Sequence, residues 1–464
     1  MIPLLYFTIM ASFLSGFVEL AKALGPFSGV LALLPEVGSF LLLVGILIHL
    51  SNQREMALSP KYVAIGILIT VHLILGLILN WYTSGTLVAG TRIYFRYVPL
   101  FLLPAIIVFT EKDLRQFLKL IVVLMLVQTP IAIYQRLFVF PDHPTGDVVR
   151  GTFDTGSINS IVIITVVIAF GALWLRQRIT LTTMVLLSSL IMIPMLINET
   201  KASIILFAYG MICLALFSST GAKRFVTLFS TGVVSVVFVV LFAASYDYFY
   251  PDRYGGKGLL NFYSERAISN EYKGIDSPVE VREVARIDSL VLAYKKLQDD
   301  PFELLFGLGM GNLSHPKRNE ALTGQFSEYY GFYDVERTTY TQALWEIGLL
   351  GISLMGLLTL LIFFDARAVS RLKGLDGAFG LAWAAIIAFL PLALLYKSLI
   401  HAAAPVALLM FFSGYIAAKR VREQPVADDT SGEAGRLSED RPLQVGNETT
   451  ISVVEKGIGT LKHD

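Results

Sequence analysis

About twelve apolar runs, each close to the roughly 20 residues that an α-helix needs to cross a bilayer, occupy most of this 464-residue chain. A backbone in hydrocarbon has no water to bond, so such runs must satisfy their own hydrogen bonds as helices. The expected class is an all-α polytopic membrane protein. The runs lie near 2–20, 29–50, 61–80, 94–110, 117–138, 158–175, 180–197, 202–219, 225–245, 341–364, 378–397 and 400–418. A charged share of 16 % agrees, since a soluble domain carries about 25 %. Net charge is +1, so no global field points to nucleic acid, and what matters is where the charges sit.

This pattern divides the chain into spans 1–9 (residues 1–245), a large mixed segment (246–340), spans 10–12 (341–418) and a tail (419–464). The tail is rich in Asp, Glu, Gly and Ser and poor in aromatics, a composition that predicts disorder. The start, Met1-Ile2-Pro3-Leu4, has no basic leader and reads as a retained first span. Cys213 is the single cysteine, inside an apolar run, and forms no internal disulfide.

Basic residues in short loops set orientation. With the N-terminus inside, one side collects Arg54, Lys61, Lys112, Arg115, Lys119, Arg176, Arg178, Lys223, Arg224, Arg367, Arg371, Lys373, Lys419, Arg420 and Arg422. The other collects fewer: Lys22, Arg92, Arg96, Arg136, Arg150, Lys201 and Lys397. Both termini are therefore expected in the cytoplasm, with the large segment outside; in a bacterium with two membranes this is the inner membrane and the periplasm. A lone cation at a span end usually snorkels to lipid headgroups. Several on the side that should be poor in them point to a shared anionic ligand. Arg92 and Arg96, four apart, would share one helix face.

In the large segment, Val284, Ile287, Val291 and Tyr294 recur at helical spacing and predict one buried stripe on a helix over 279–297, flanked by Arg282 and Arg286. That helix is either a surface helix with solvated charges or one lying along the membrane and presenting guanidinium groups to phosphate. Gly307-Leu308-Gly309-Met310-Gly311-Asn312 lacks the strand and the Lys-Ser/Thr of a nucleotide loop and reads as a tight turn. The six histidines show no metal-ligand spacing, so no metal site is expected, and only His315, near the glycines, is carried forward as a candidate. Glu346, with Gln342 one turn before it, lies inside the tenth span, where an acid is either paired or functional.

Taken in order, Arg150-Gly151-Thr152-Phe153 with Asn159, Thr200-Lys201-Ala202-Ser203, and Arg286 through Asn312 followed by Gln342-Ala343-Leu344-Trp345-Glu346-Ile347-Gly348-Leu349-Leu350-Gly351 resemble the O-antigen ligase and polymerase superfamily. The likeness covers roughly residues 90–365. It implies a GT-C-like membrane fold that transfers glycan from a polyprenyl-diphosphate carrier to an acceptor glycan or lipid, without metal or cofactor. The partners it implies are that lipid-linked glycan, membrane lipids and other polysaccharide-assembly proteins.

Charge grows on a departing diphosphate, and fixed cations there lower the barrier. On the resemblance, Arg92, Arg96, Arg150, Lys201 and Arg282 would hold the diphosphate. Arg286, Arg337, His315 and Glu336 would serve the reaction, with Asp334 a further option for activating the acceptor. Gln342, Glu346, Gly309 and Gly311 would position the site. Ligases of the group carry a histidine nine residues before the glutamate, where this chain has Arg337. The expected activity is therefore polymerisation of repeat units into a surface polysaccharide, with ligation as the nearer alternative and a transporter or flippase for an anionic lipid as the alternative of another class.

Overall fold

The computed structural model describes residues 1–53, 56–80, 82–141, 143, 146–218, 222–250, 259, 285–314, 322–330 and 335–423. Among the described residues the secondary structure is helical, with no strand. In chain order the α-helices are α1 (Ile2–Leu14), α2 (Val18–Leu24), α3 (Ser28–Gln53), α4 (Pro60–Leu79), α5 (Ser84–Phe95), α6 (Val98–Ile106), α7 (Glu111–Tyr134), α8 (Gly156–Leu175), α9 (Leu181–Ile197), α10 (Ser203–Ser218) and α11 (Ala222–Phe249). They continue with α12 (Arg286–Leu297), α13 (Pro301–Phe306), α14 (Ser327–Tyr330), α15 (Thr339–Val369), α16 (Gly374–Tyr396) and α17 (Ala403–Arg422).

Among the described residues eight helices, α3, α4, α7, α8, α11, α15, α16 and α17, are long and apolar enough to cross a membrane. The chain is thus an all-α multi-pass membrane protein. Three further apolar helices, α1, α9 and α10, are shorter. Three of the twelve expected runs depart from single helices, one of them, 341–364, through a break at Gly348. The run at 94–110 is split, because Pro99 opens α6 and could not sit inside a continuous helix without losing a backbone bond. The run at 2–20 ends at Leu14, and the chain resumes as α2.

Burial follows position in the bundle. Helices α8 and α16 are apolar all round and mostly covered by protein, as central helices are. By contrast α11 turns Phe225 and Phe229 outward, about three-quarters exposed, which costs nothing against lipid tails. Connections gather at two ends. One end holds residues 57–61, 104–107, 176–178, 365–376 and 419–423, joined by bonds such as Arg176 to the Ser370 carbonyl and Arg422 to the Pro104 carbonyl. The other, here the loop end, brings together residues near 36, 80–97, 135–156, 198–201, 286–314 and 336–346 with the turn before α17.

Two expectations are corrected. On α12 the residues Ile287, Val291 and Tyr294 are exposed, and the buried face is Ser289, Ala293 and Leu297. Small Ser289 and Ala293 allow the close approach to α15, where the Ser289 and Thr341 hydroxyls meet at 2.9 Å, and the bulky stripe is left facing outward. The tail begins later than 419, since α17 runs to Arg422 with Lys419, Arg420 and Arg422 in its last turn, where cations suit the helix dipole. The expected disorder beyond it concerns residues 424–464, outside the described residues, as do His315, Arg282, Asp334 and Val284.

Candidate functional site

Helix α5 organises the loop end. Thr83 caps it, its hydroxyl accepting from the Thr86 N–H while the Thr86 hydroxyl accepts from the Thr83 N–H. From this short helix three side chains reach three different elements. Arg92 Nε donates to Glu36 Oε1 of α3 at 2.6 Å, and Arg96 lies 3.7 Å from the same oxygen. Tyr94 donates its hydroxyl to Glu346 of α15 at 2.7 Å. Arg96 also donates to the carbonyls of His401 (2.7 Å) and Ile400 (3.3 Å), in the turn between α16 and α17. Two guanidinium groups therefore share one carboxylate.

The 150–154 turn meets this group from another side. Two glutamines of the α7 region clamp it. Gln135 Oε1 accepts from the N–H groups of Arg150 and Gly151 (3.0 and 2.9 Å), and Gln128 Oε1 accepts from the Thr152 N–H (2.8 Å). Gly151 has φ +62°, and a Cβ there would lie 2.3 Å from Gln128 Oε1, so only glycine fits. Arg150 reaches the Asp154 carbonyl at 3.4 Å. Asp154 lines a small cleft with Gly16, Thr152, Ile158, Ala402 and Pro405.

His401 stands at the centre. Its Nε2 lies 2.7 Å from Gln342 Nε2 and 3.5 Å from Glu336 Oε1. Gln342 is held in turn by the Ser398 hydroxyl, which donates to its Oε1 at 2.8 Å. His401 is partly open, with 41 % of its side chain exposed, yet protein crowds it on most sides. That crowding pushes the imidazole pKa down, and Arg96 and Arg92 act the same way, while Glu336 and Asp154 push it up. Desolvation likewise raises the Asp154 carboxyl, against the pull of Arg96, Arg150 and His401.

Other expected residues sit elsewhere. Arg286 donates to the Tyr396 carbonyl at 2.9 Å and lies over the Tyr396 ring at 4.6 Å, fastening α12 to the end of α16. Lys201 belongs to a separate knot. It pairs at 3.1 Å with Glu199, which is buried and also accepts from the Gly146 N–H and the Tyr246 hydroxyl. Arg337 is half-buried and its neighbour Glu336 exposed.

The glycine segment cradles protein backbone. The Leu308 N–H donates to the Trp345 carbonyl at 2.7 Å, and Asn80 donates to the Gly307 carbonyl at 2.9 Å. Gly307 (φ +70°) and Gly348 (φ +62°) face each other's strands of chain so closely that a Cβ on either would lie 2.5 Å from backbone carbon. At Gly348 helix α15 is broken, and the freed Ile347 carbonyl meets His72 Nε2 at 2.8 Å. Gly309 and Gly311 also take positive φ, against the backbone of Gly76 and of Thr86 and Gly90.

Sequence reasoning missed His401, Asp154, Glu36 and Tyr94. Glu36 is an acid inside an apolar run and could have been singled out as Glu346 was. His401 follows the eleventh run, and the count of spans alone puts that turn on the same side as Arg337. Among the described residues no cluster of His, Cys, Asp and Glu could hold a metal. The chain matches no protein-family model and no curated protein sequence.

Proposed function

We propose that this protein is a glycosyltransferase of the inner membrane that polymerises polyprenyl-diphosphate-linked repeat units into a surface polysaccharide at the periplasmic face. One observation carries the reading: Arg92, Arg96 and Arg150 gather with His401, Asp154 and Glu336 at one end of a helical bundle. Cations at that point suit a diphosphate leaving group, and the titratable groups suit an acceptor hydroxyl. Counting α1, the α5–α6 pair, α9 and α10 with the eight longer helices gives twelve passes and both termini on one side; the bias of basic residues in the short loops supports the cytoplasm for that side and the outside for this cluster. Glu36 would then be the resting counter-ion of Arg92 and Arg96, displaced when the diphosphate arrives. The acceptor in this reading is a growing glycan, and in the ligase alternative a lipid.

The test is a gel of surface polysaccharide from cells with and without the gene. Collapse of a long-chain ladder to single repeat units supports polymerisation; loss of attached glycan with long chains accumulating on the carrier assigns ligation instead. No change in either refutes both.

A second reading, transport of an anionic lipid-linked substrate, is favoured by one specific feature. Helix α15 is broken at Gly348 beside the buried Glu346, the kind of interruption that lines binding sites in transporters. A carrier-linked glycan that stays on the cytoplasmic side in cells lacking the gene would support it over transfer.

A further inference from the structure

Transfer of a sugar from a diphosphate to a hydroxyl leaves one proton without a home. The acceptor oxygen bonds to the anomeric carbon, and the anomeric carbon–oxygen bond breaks with its electron pair leaving on the polyprenyl diphosphate. The diphosphate needs no proton to depart. The hydroxyl proton needs an acceptor, and a guanidinium such as that of Arg337 cannot take it.

We infer that His401 is that base, with Gln342 and Glu336 as its positioning residues. The inference rests on the glycosyl-transfer reading above. It stands on the hydrogen-bond network around the imidazole. Ser398 donates to Gln342 Oε1, which turns the amide NH2 toward His401 Nε2 at 2.7 Å. An amide N–H donates, so Nε2 carries the lone pair and Nδ1 the proton. An acceptor hydroxyl approaching His401 replaces the amide as donor to that lone pair. Once Nε2 is protonated, it meets the Glu336 carboxylate, 3.5 Å away in the resting arrangement. The turn that carries His401 is fixed from two sides. Arg96 of α5 holds the carbonyls of Ile400 and His401, and Thr339 at the start of α15 accepts from the Leu399 N–H at 2.9 Å. The same Arg96 is thus placed to bind the leaving group and to hold the base, which ties the two halves of the reaction to one side chain.

The charges facing the imidazole are Glu336 before α15, Arg92 and Arg96 on α5, and Asp154 before α8. Transfer requires the neutral ring, so the rate rises with pH through the imidazole pKa. Glu336 favours the protonated ring, so its removal moves that acid limb to lower pH.

The experiment uses the full chain in vesicles of bacterial phospholipid, with polyprenyl-diphosphate-linked oligosaccharide extracted from cells that carry the gene. Donor retention and transfer are measured separately across pH. His401→Gln is expected to lose about 100-fold or more in transfer, the usual worth of a general base, while retaining donor as the wild type does. Glu336→Gln is expected to shift the acid limb of the transfer profile to lower pH. Transfer by His401→Gln within about threefold of wild type, with an unmoved profile, overturns the inference and leaves the glycosyl-transfer reading standing. Should His401→Gln fail to accumulate, an unmoved limb in Glu336→Gln overturns it equally. Absence of transfer by the wild type overturns that reading, and the inference with it.

Discussion

The two ends of the bundle use the same residue types to opposite effect. At the end away from the loop, cations close off helix termini. Arg176, Arg367 and Arg422 donate to the carbonyls of Ser370, Phe217 and Pro104, the last groups of their helices or the turns just beyond. Asp365 is shut in by Lys61 at 2.7 Å and the Tyr62 hydroxyl at 2.7 Å, and Asp376 by Lys419 and the Tyr415 hydroxyl. At the loop end two arginines share Glu36, Asp154 lines a small cleft, His401 is 41 % exposed, and Glu336 is more than half exposed. Acids closed in by their own partners, such as Asp365 and Asp376, fasten helices. Two guanidinium groups on the one Glu36 carboxylate leave positive charge in excess there.

Removing one cation from the loop end should have the greatest consequence. Arg96→Gln is expected to lower polysaccharide assembly 100-fold or more, on the order of the 2.7–4 kcal/mol that a lost transition-state donor costs, with membrane levels unchanged. Quantifying the ladder against an immunoblot of the membrane fraction checks it; a fall in both together would make Arg96 a fastener like those at the opposite end.

The converse change is Asp365→Ala, which leaves Lys61 and Tyr62 without their acceptor. We expect it to lower thermal stability in detergent by about 1–3 kcal/mol, toward the low side because Lys61 is 38 % exposed, with activity per folded molecule preserved. A specific loss of activity at full stability would erase the distinction between the ends.

The smallest expected effect is Thr83→Ala, which removes the cap of α5 and costs about 1 kcal/mol. Because α5 carries Arg92, Tyr94 and Arg96, the change should appear first as weaker retention of lipid-linked donor and only slightly as lower stability. Equal retention would show that the helix is held by Glu36 and Glu346 alone.

Much of the fold is legible in the sequence. Apolar runs of bilayer length give the membrane class and most of the helices, and the i, i+4 spacing of Arg92 and Arg96 places them on one face. Less legible are features that depend on what lies opposite. The α12 stripe has helical spacing, yet in a membrane protein the bulky side can face outward while Ser289 and Ala293 make the contact. Lys201 reads in the sequence as a diphosphate ligand, while in the fold it pairs with Glu199, two residues before it.

A bundle of membrane helices, glycines that permit positive φ and the place of the long loop are all written in the order of residues. Those properties are local, set by runs and spacings of a few residues. That Glu36 answers Arg92 across 56 residues, and that Arg96 fastens the turn bearing His401 across 305, depends on the packed bundle. Ion pairs and hydrogen bonds fall off within a few ångströms, and which helices come that close is settled by packing of the whole bundle.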